Sequence, residues 1–271
     1  MKFSHVKRMV FVLACLFFGV MALSACSQTI ESSTPTVLIH GAPGSDRSFV
    51  KTTELLASRV DVTKEPLMEV NADGKLIVHG RFRKGNNPLI VLRFTDSNAD
   101  EDKRSEWLAT CMRYLYQHEG VRQVNFIGHS MGGIDALYYA TYYQNEKKDL
   151  PKVNKVVSLG APFNGCDYSQ NGSLESSLKH GPKEESQDYK TYAALMKKYP
   201  LKAKAWLNIA GDKLSDGKGD MIVPLGSVAC ITPLMKKEKI HYEFEVFKGD
   251  EHSELHDDKR VIDRIVQFLW E

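Results

Sequence analysis

Apolar residues cluster in short blocks separated by polar and glycine-rich stretches. Thr36–His40 reads as a buried strand, and Pro88–Phe94, Val124–Gly128, Val153–Leu159, Trp206–Gly211 and Tyr242–Phe247 read as further strands. Between them the period changes. Apolar positions 107, 108, 111, 112 and 115 predict a helix over Trp107–Gln117, and 261, 262, 265, 266 and 269 predict a C-terminal one. Phe49–Arg59 and Ile134–Tyr143 also read as helical. Pro66–Phe82 alternates like a hairpin turning at Asn71-Ala-Asp-Gly74. Strands alternating with helices predict a mostly parallel central sheet flanked by helices on both faces. Residues 163–205 break that rhythm as a small polar, partly helical cap insertion, with one short apolar stripe at Tyr189, Tyr192, Ala193 and Met196. Helix packing is enough to explain that stripe.

The N-terminus departs from this pattern. Lys2, Lys7 and Arg8 precede the apolar or glycine run Met9–Leu23, and Leu23-Ser24-Ala25-Cys26 closes it with small residues. This is an export signal, too short and wrongly flanked to span a membrane. Its ending resembles the lipobox of bacterial lipoproteins, which implies lipidation of Cys26. The expected division is a lipoprotein signal peptide over 1–25, a tether over 26–35 and one folded domain over 36–271. Localisation follows as the extracellular face of the cell membrane, lipid-anchored, or secreted if Cys26 is unmodified.

Removing residues 1–25 takes away three of 36 basic residues and none of the 34 acidic ones, leaving 33 against 34 and a net charge of −1. No nucleic-acid partner is expected from such a balance. Cys111, Cys166 and Cys230 have no zinc-site spacing, so no metal is expected. Cys166 and Cys230 both follow strand-like segments and could pair, but three free thiols account for them as well. The acidic stretch Asp96–Asp102 lacks the glycine and glutamate of a calcium loop and reads as a solvated turn.

The chemistry centres on Gly128-His129-Ser130-Met131-Gly132. A strand leads in and a helix leads out, the context in which a strained elbow exposes a serine Oγ at a helix N-terminus. Glycines are needed at −2 and +2 because side chains there collide across so sharp a bend. A serine hydroxyl needs a base, and in this architecture the order is serine, acid, histidine. His252 and His256 lie in the loop after the last strand. His252 is preferred as the base, with His256 a capping or surface residue. Asp212, Asp216 and Asp220 follow Trp206–Gly211. Asp220 is preferred because Met221-Ile-Val-Pro can bury it beside the base, and Asp212 is the runner-up. Oxyanion donors are expected from the amides of Met131 and Ala42, since Pro43 has no N–H. His40 is expected to support that loop.

With these residues placed, PTVLIHG, NPLIVLRF, VNFIGHSMGG, APFNG, GDMIVPLGS, EHSELH and the terminal FLW resemble the α/β-hydrolases, and more narrowly the lipoprotein-type cell-surface α/β-hydrolases of Gram-positive bacteria. The resemblance runs from Thr36 to Trp270 and implies the α/β-hydrolase fold and a Ser130–Asp220–His252 triad. The chain departs from it where Ala42-Pro43 replaces a glycine-rich first loop. The expected activity is hydrolysis of small-molecule carboxylic esters through an acyl-enzyme, without a cofactor. The rivals are a lipase, acyltransferase or amidase of the same fold, or a surface binding protein on a hydrolase scaffold. The oligomeric state is left open.

Overall fold

The computed structural model describes residues 31–271; the signal peptide, Cys26 and residues 27–30 of the tether lie outside the described residues. Eight strands form one sheet in the order β3-β2-β4-β1-β5-β6-β7-β8. They are β1 (Thr36–Ile39), β2 (Leu67–Val70), β3 (Leu76–His79), β4 (Leu89–Phe94), β5 (Gln123–His129), β6 (Lys152–Leu159), β7 (Ala205–Asp212) and β8 (His241–Lys248). Every neighbouring pair is parallel except β2 with β3, the hairpin, where Leu67 faces His79. The parallel strands therefore end together on one edge, and the loops leaving β1, β5, β6, β7 and β8 meet there. Before β1, the Ser32 amide donates to Asn87 Oδ1 (2.9 Å) and the Ser32 carbonyl accepts from the Asn87 amide (2.7 Å), so the chain is bound to the domain four residues ahead of its first strand.

Alternation along β1 explains the layers. Val37 and Ile39 point to one face, Leu38 to the other, and all three are fully buried. The first face packs against α2 (Glu101–His118) and α3 (Met131–Tyr138), through Trp107, Met112 and Leu115. The second packs against α1 (Val50–Ala57) and the C-terminal helix α8 (Lys259–Trp270), through Leu56, Val261, Ile265 and Leu269. Burial on both faces is why these strands are apolar throughout rather than alternating.

Several elements differ from the sequence expectation. α2 starts six residues earlier than Trp107, because Asp100 caps it by accepting from the Lys103 amide (2.9 Å) and Glu101 and Asp102 occupy the first turn, where negative charge is favoured. α3 begins directly after Ser130 and continues through a π turn, Tyr139–Tyr143. The insertion holds α4 (Leu174–His180) and α5 (Gln187–Lys198), and after β7 come two short helices that no periodicity announced, α6 (Leu225–Ala229) and α7 (Thr232–Met235). The apolar stripe of α5 is core packing: Tyr189, Tyr192 and Met196 are buried against the α2–α3 side. Cys111, Cys166 and Cys230 are all free thiols; Cys230 is buried and donates to the Ser227 carbonyl, and Cys166 is exposed. Among the described residues no helix is long and apolar enough to cross a membrane.

Candidate active site

The β5–α3 junction is built around backbone clearance. Ser130 has φ 53° and ψ −122°, a left-handed conformation that costs a non-glycine residue energy and recurs at functional elbows. A side chain on Gly128 would lie 2.3 Å from the Gly132 carbonyl oxygen, which is the collision across the bend expected from sequence. Gly132 is constrained differently. Its would-be Cβ meets the Ile39 carbonyl oxygen at 2.1 Å, so the neighbouring strand β1 rather than the bend excludes a side chain. Gly133 fits between Ala161 and Ser158 for a similar reason. Ser130 donates its amide to the Leu159 carbonyl (2.8 Å) and its own carbonyl accepts from Gly133 (2.9 Å), which locks the turn to β6.

Asp220 and His252 come together. Asp220 is fully buried, and its Oδ1 accepts from the amides of Ile222 (3.0 Å) and Val223 (2.7 Å). Its Oδ2 accepts from His252 Nδ1 at 2.7 Å. The His252 amide also donates to the Asp220 carbonyl (3.0 Å), so the loops after β7 and β8 are joined by backbone and side chain alike. With Nδ1 committed as a donor, neutral His252 presents Nε2 as an acceptor. No hydrogen bond joins Ser130 Oγ to His252 among the described residues, and contacts of that kind tighten on substrate binding in many hydrolases. Gly160, at the end of β6, was not foreseen. A Cβ there would sit 3.0 Å from His252 Nδ1 and 3.1 Å from Asp220 Oδ2, at a φ of 60°.

The alternatives are occupied elsewhere. Both carboxylate oxygens of Asp212 accept from the Gly217 amide (3.2 and 3.0 Å), closing the loop after β7. Asp216 is exposed and pairs with Lys218 (3.0 Å). His256 is not a surface residue. It is 8% exposed, bonds to Asp257 Oδ1 through Nδ1 (3.0 Å) and packs edge-on against Phe49 and His129.

The loop after β1 lies against the serine: a Cβ on Gly41 would come within 2.7 Å of Ser130 Cβ. His40, fully buried, organises this loop. Its Nε2 accepts from the Phe94 amide (3.0 Å), so Nδ1 carries the proton and donates to the Gly41 carbonyl (2.7 Å). Burial lowers its pKa to about 4, which keeps the ring neutral. A trans peptide sets C=O and N–H in opposite directions, so holding the Gly41 carbonyl on His40 turns the Ala42 N–H away from it. The Ala42–Pro43 peptide is cis. The His40 carbonyl accepts from Arg104 Nη2 (2.7 Å), and the same nitrogen donates to Asp135 Oδ2 (2.7 Å). Arg104 and Asp135 are fully buried, and no local pattern in sequence marks them as a pair.

Inside the insertion, buried Asn164 bonds to Asn171, the Glu184 carbonyl and the Ser186 amide. The insertion is tied to α6 by the Asn164 amide, which donates to Ser227 Oγ (2.9 Å), and to the start of α2 by Tyr192 OH, which donates to Glu101 Oε1 (2.5 Å). Burial raises Glu101 to about 7. A separate cavity of about 450 Å³ lies at the opposite edge, lined by Pro35, Phe82, Pro88 and Arg122, and carries no nucleophile–base pair. Among the described residues no group of three histidine, cysteine or carboxylate side chains could hold a metal ion.

Known proteins give the same architecture. Residues 24–271 match the family described as "Alpha/beta hydrolase of unknown function (DUF915)". The crystal structure of a gene product from Listeria innocua is 28% identical with a TM-score of 0.80, covering 88% of this chain and 94% of that one. A protein from Lactobacillus plantarum named as a cell surface hydrolase shares the fold at a TM-score of 0.66 and 20% identity, covering 87% and 89%. Proline iminopeptidases of Clostridioides difficile and Lactobacillus acidophilus are 22% and 25% identical over 117 and 116 residues. Those matches span 43% of this chain but only 33% of each peptidase, so the chain covers about a third of the length of these curated relatives.

Proposed function

The chain belongs to this family of α/β hydrolases, and from that membership we propose that it is a serine hydrolase cleaving carboxylic esters through an acyl-enzyme on Ser130. The observation that carries the reading is the buried Asp220 carboxylate, 2.7 Å from His252 Nδ1 at the strand edge where the strained Ser130 elbow stands. In this mechanism His252 Nε2 takes the hydroxyl proton as Ser130 Oγ attacks the ester carbonyl. Asp220 holds the imidazole in the Nδ1–H tautomer and stabilises the imidazolium that forms. The amides of Met131 and Ala42 receive the developing oxyanion. Collapse expels the alcohol with the proton from His252, and water repeats the sequence to release the acid.

The test is labelling with a fluorophosphonate together with an ester panel of graded acyl length. Ser130→Ala should abolish both labelling and turnover while the protein stays folded. Hydrolysis at an undiminished rate in that variant would remove Ser130 as nucleophile, and an inert serine in folded wild type would favour the binding-protein alternative. His252→Ala should cost as much as Ser130→Ala, because such residues act as a unit, whereas His256→Ala should leave far more activity.

Residence on the outer face of the membrane through a lipid on Cys26 is part of the same proposal. A diacylglyceryl cysteine carries two chains, enough for stable anchoring where one is marginal. Mass spectrometry of the mature N-terminus decides this part. An unmodified residue after an ordinary cleavage, with activity free in the medium, would exclude it.

A further inference from the structure

His129, between Gly128 and the nucleophile, is spoken for on every side. Its Nε2 lies 2.9 Å from the carbonyl oxygen of His252. A carbonyl only accepts, so Nε2 carries the proton and donates. Its ring lies against the ring of His252, tilted by 46° at 4.6 Å, and meets His256 edge-on at 4.8 Å and 90°. Its Nδ1 faces the loop after β1: a Cβ on Gly41 would lie 3.3 Å from that atom. The backbone of His252 is thus held at both ends, its amide by the Asp220 carbonyl and its carbonyl by His129.

We propose that His129 is a positioning residue for His252, its Nε2–H···O bond and its ring together holding the imidazole of the base on Asp220 and beside the serine that follows His129 in the chain. No single bond in this arrangement is unusual. What is specific is that the clamp on the base is the residue preceding the nucleophile, so neither can move without the other. The ring has to stay uncharged while His252 accepts a proton, since two adjacent imidazolium ions repel. The surroundings favour that. Burial first, then the neighbouring rings of His252, His256 and His40, hold His129 well below the usual imidazole range. The charged groups closest behind them are Asp220 on His252 and Asp257 on His256, each already bonded to its own histidine.

The inference rests on the esterase reading, and its test separates the two. His129→Phe keeps a buried ring and deletes the donor. His129→Gln keeps an amide donor and deletes the ring. In the phenylalanine variant kcat should fall about 10- to 100-fold, the scale of an ångström of misplacement, with KM within about twofold. The glutamine variant should recover most of the loss. Wild-type kcat in the phenylalanine variant would overturn the proposal. So would equal losses in both variants that follow their loss of thermal stability, which is what a purely structural role predicts. Should the phenylalanine variant not fold, nitrogen-15 NMR of histidine-labelled wild type decides independently of turnover. His129 should remain neutral, with the proton on Nε2, from pH about 8 to about 5, through the ordinary imidazole value of about 6.5. An Nδ1–H tautomer or titration near that value would overturn it. Wild type that hydrolyses no ester and takes no fluorophosphonate defeats the esterase reading, while the NMR result still judges the clamp.

Discussion

Two fully buried carboxylates lie on either side of the Ser130 elbow, and the fold treats them differently. Asp220 receives two backbone amides on Oδ1 and an imidazole on Oδ2. Asp135, on α3, receives only Arg104 on Oδ2, and its Oδ1 has no partner, as is also true of Arg104 Nε. Burial pushes Asp135 up to about 6 although the guanidinium opposes it. Fixed dipoles replace water around Asp220, as suits a carboxylate that faces a developing imidazolium. The Arg104–Asp135 pair instead spends its charge on geometry, since Arg104 also holds the carbonyls of His40 and Ser97 and lies over the Phe94 ring. Of this pair, one carboxylate is fully satisfied beside an imidazole and the other is left partly unpaired under the loop that Arg104 holds.

The largest effect expected from breaking this contrast is at Asp220. Asp220→Asn should lower kcat by about 10⁴-fold, the loss seen when a triad acid becomes an amide in trypsin, with KM little changed. Asp212→Asn should cost no more than about tenfold, because its carboxylate only closes a turn with Gly217. Equal losses at the two positions would transfer the acid role. At the other site the effect is on stability. Arg104→Met strands a buried carboxylate and should cost about 3–5 kcal/mol in denaturant unfolding, most of it recovered in Arg104→Met/Asp135→Leu. A single variant as stable as wild type would show that the pair does not anchor the loop.

Asp135 also sets a pH dependence. Its folded pKa is raised from 3.8 to about 6, so the native state binds this proton more tightly than the unfolded chain does. Its contribution is therefore favourable at low pH, falls as pH rises from about 4 to about 6, and stays low above that. Relative to Asp135→Asn, wild type should lose on the order of 3 kcal/mol across that window. Asp250, raised by burial to about 6, acts the same way in both proteins and cancels in the difference, whereas Glu101, raised to about 7 by burial with the charge of Asp135 among the further causes, cancels only in part. A constant difference between the two proteins would mean that Asp135 stays ionised throughout.

Much of this architecture was legible in the chain. Strand runs buried on both faces have to be apolar, so β1 and β4 to β7 stood out, the half-buried edge strand β8 showed as an alternating run, and Asn71-Ala-Asp-Gly74 marked the hairpin. Asp220 and His252, chosen by their order after the serine, lie 2.7 Å apart. What could not be read depends on chain segments far apart in sequence. The oxygen that excludes a side chain from Gly132 belongs to Ile39, and the partner of Arg104 is 31 residues away on another helix. Nothing in the sequence marked His129, because its partners, His252 and His256, lie more than a hundred residues downstream. The start of α2 was misplaced because Glu101 and Asp102 belong to a capped first turn, whereas their charge alone suggested a solvated loop.

The smallest effect reads the charge of Asp220 from a neighbour. Cys166 is an exposed free thiol, raised above its ordinary value by burial first and then by the charges of Asp220 and Asp188. Cys111 and Cys230 are buried, and burial pushes both thiols far up. Because the thiolate is the reactive form, iodoacetamide at neutral pH should modify Cys166 first among these three and reach the others only on unfolding. Since Cys166 and Cys230 are unpaired, prior treatment with a reductant should change neither the pattern nor Tm. Asp220→Asn removes one of the two charges, so Cys166 should react a few times faster in that variant, on the order of the change from losing one partly screened neighbour. Asp135→Asn, on the far side of the elbow, should leave the rate unchanged. Peptide mapping of the adducts over time checks this, and an equal rate in wild type and Asp220→Asn would mean that Asp220 carries no charge felt at Cys166, removing the electrostatic half of the contrast between the two carboxylates.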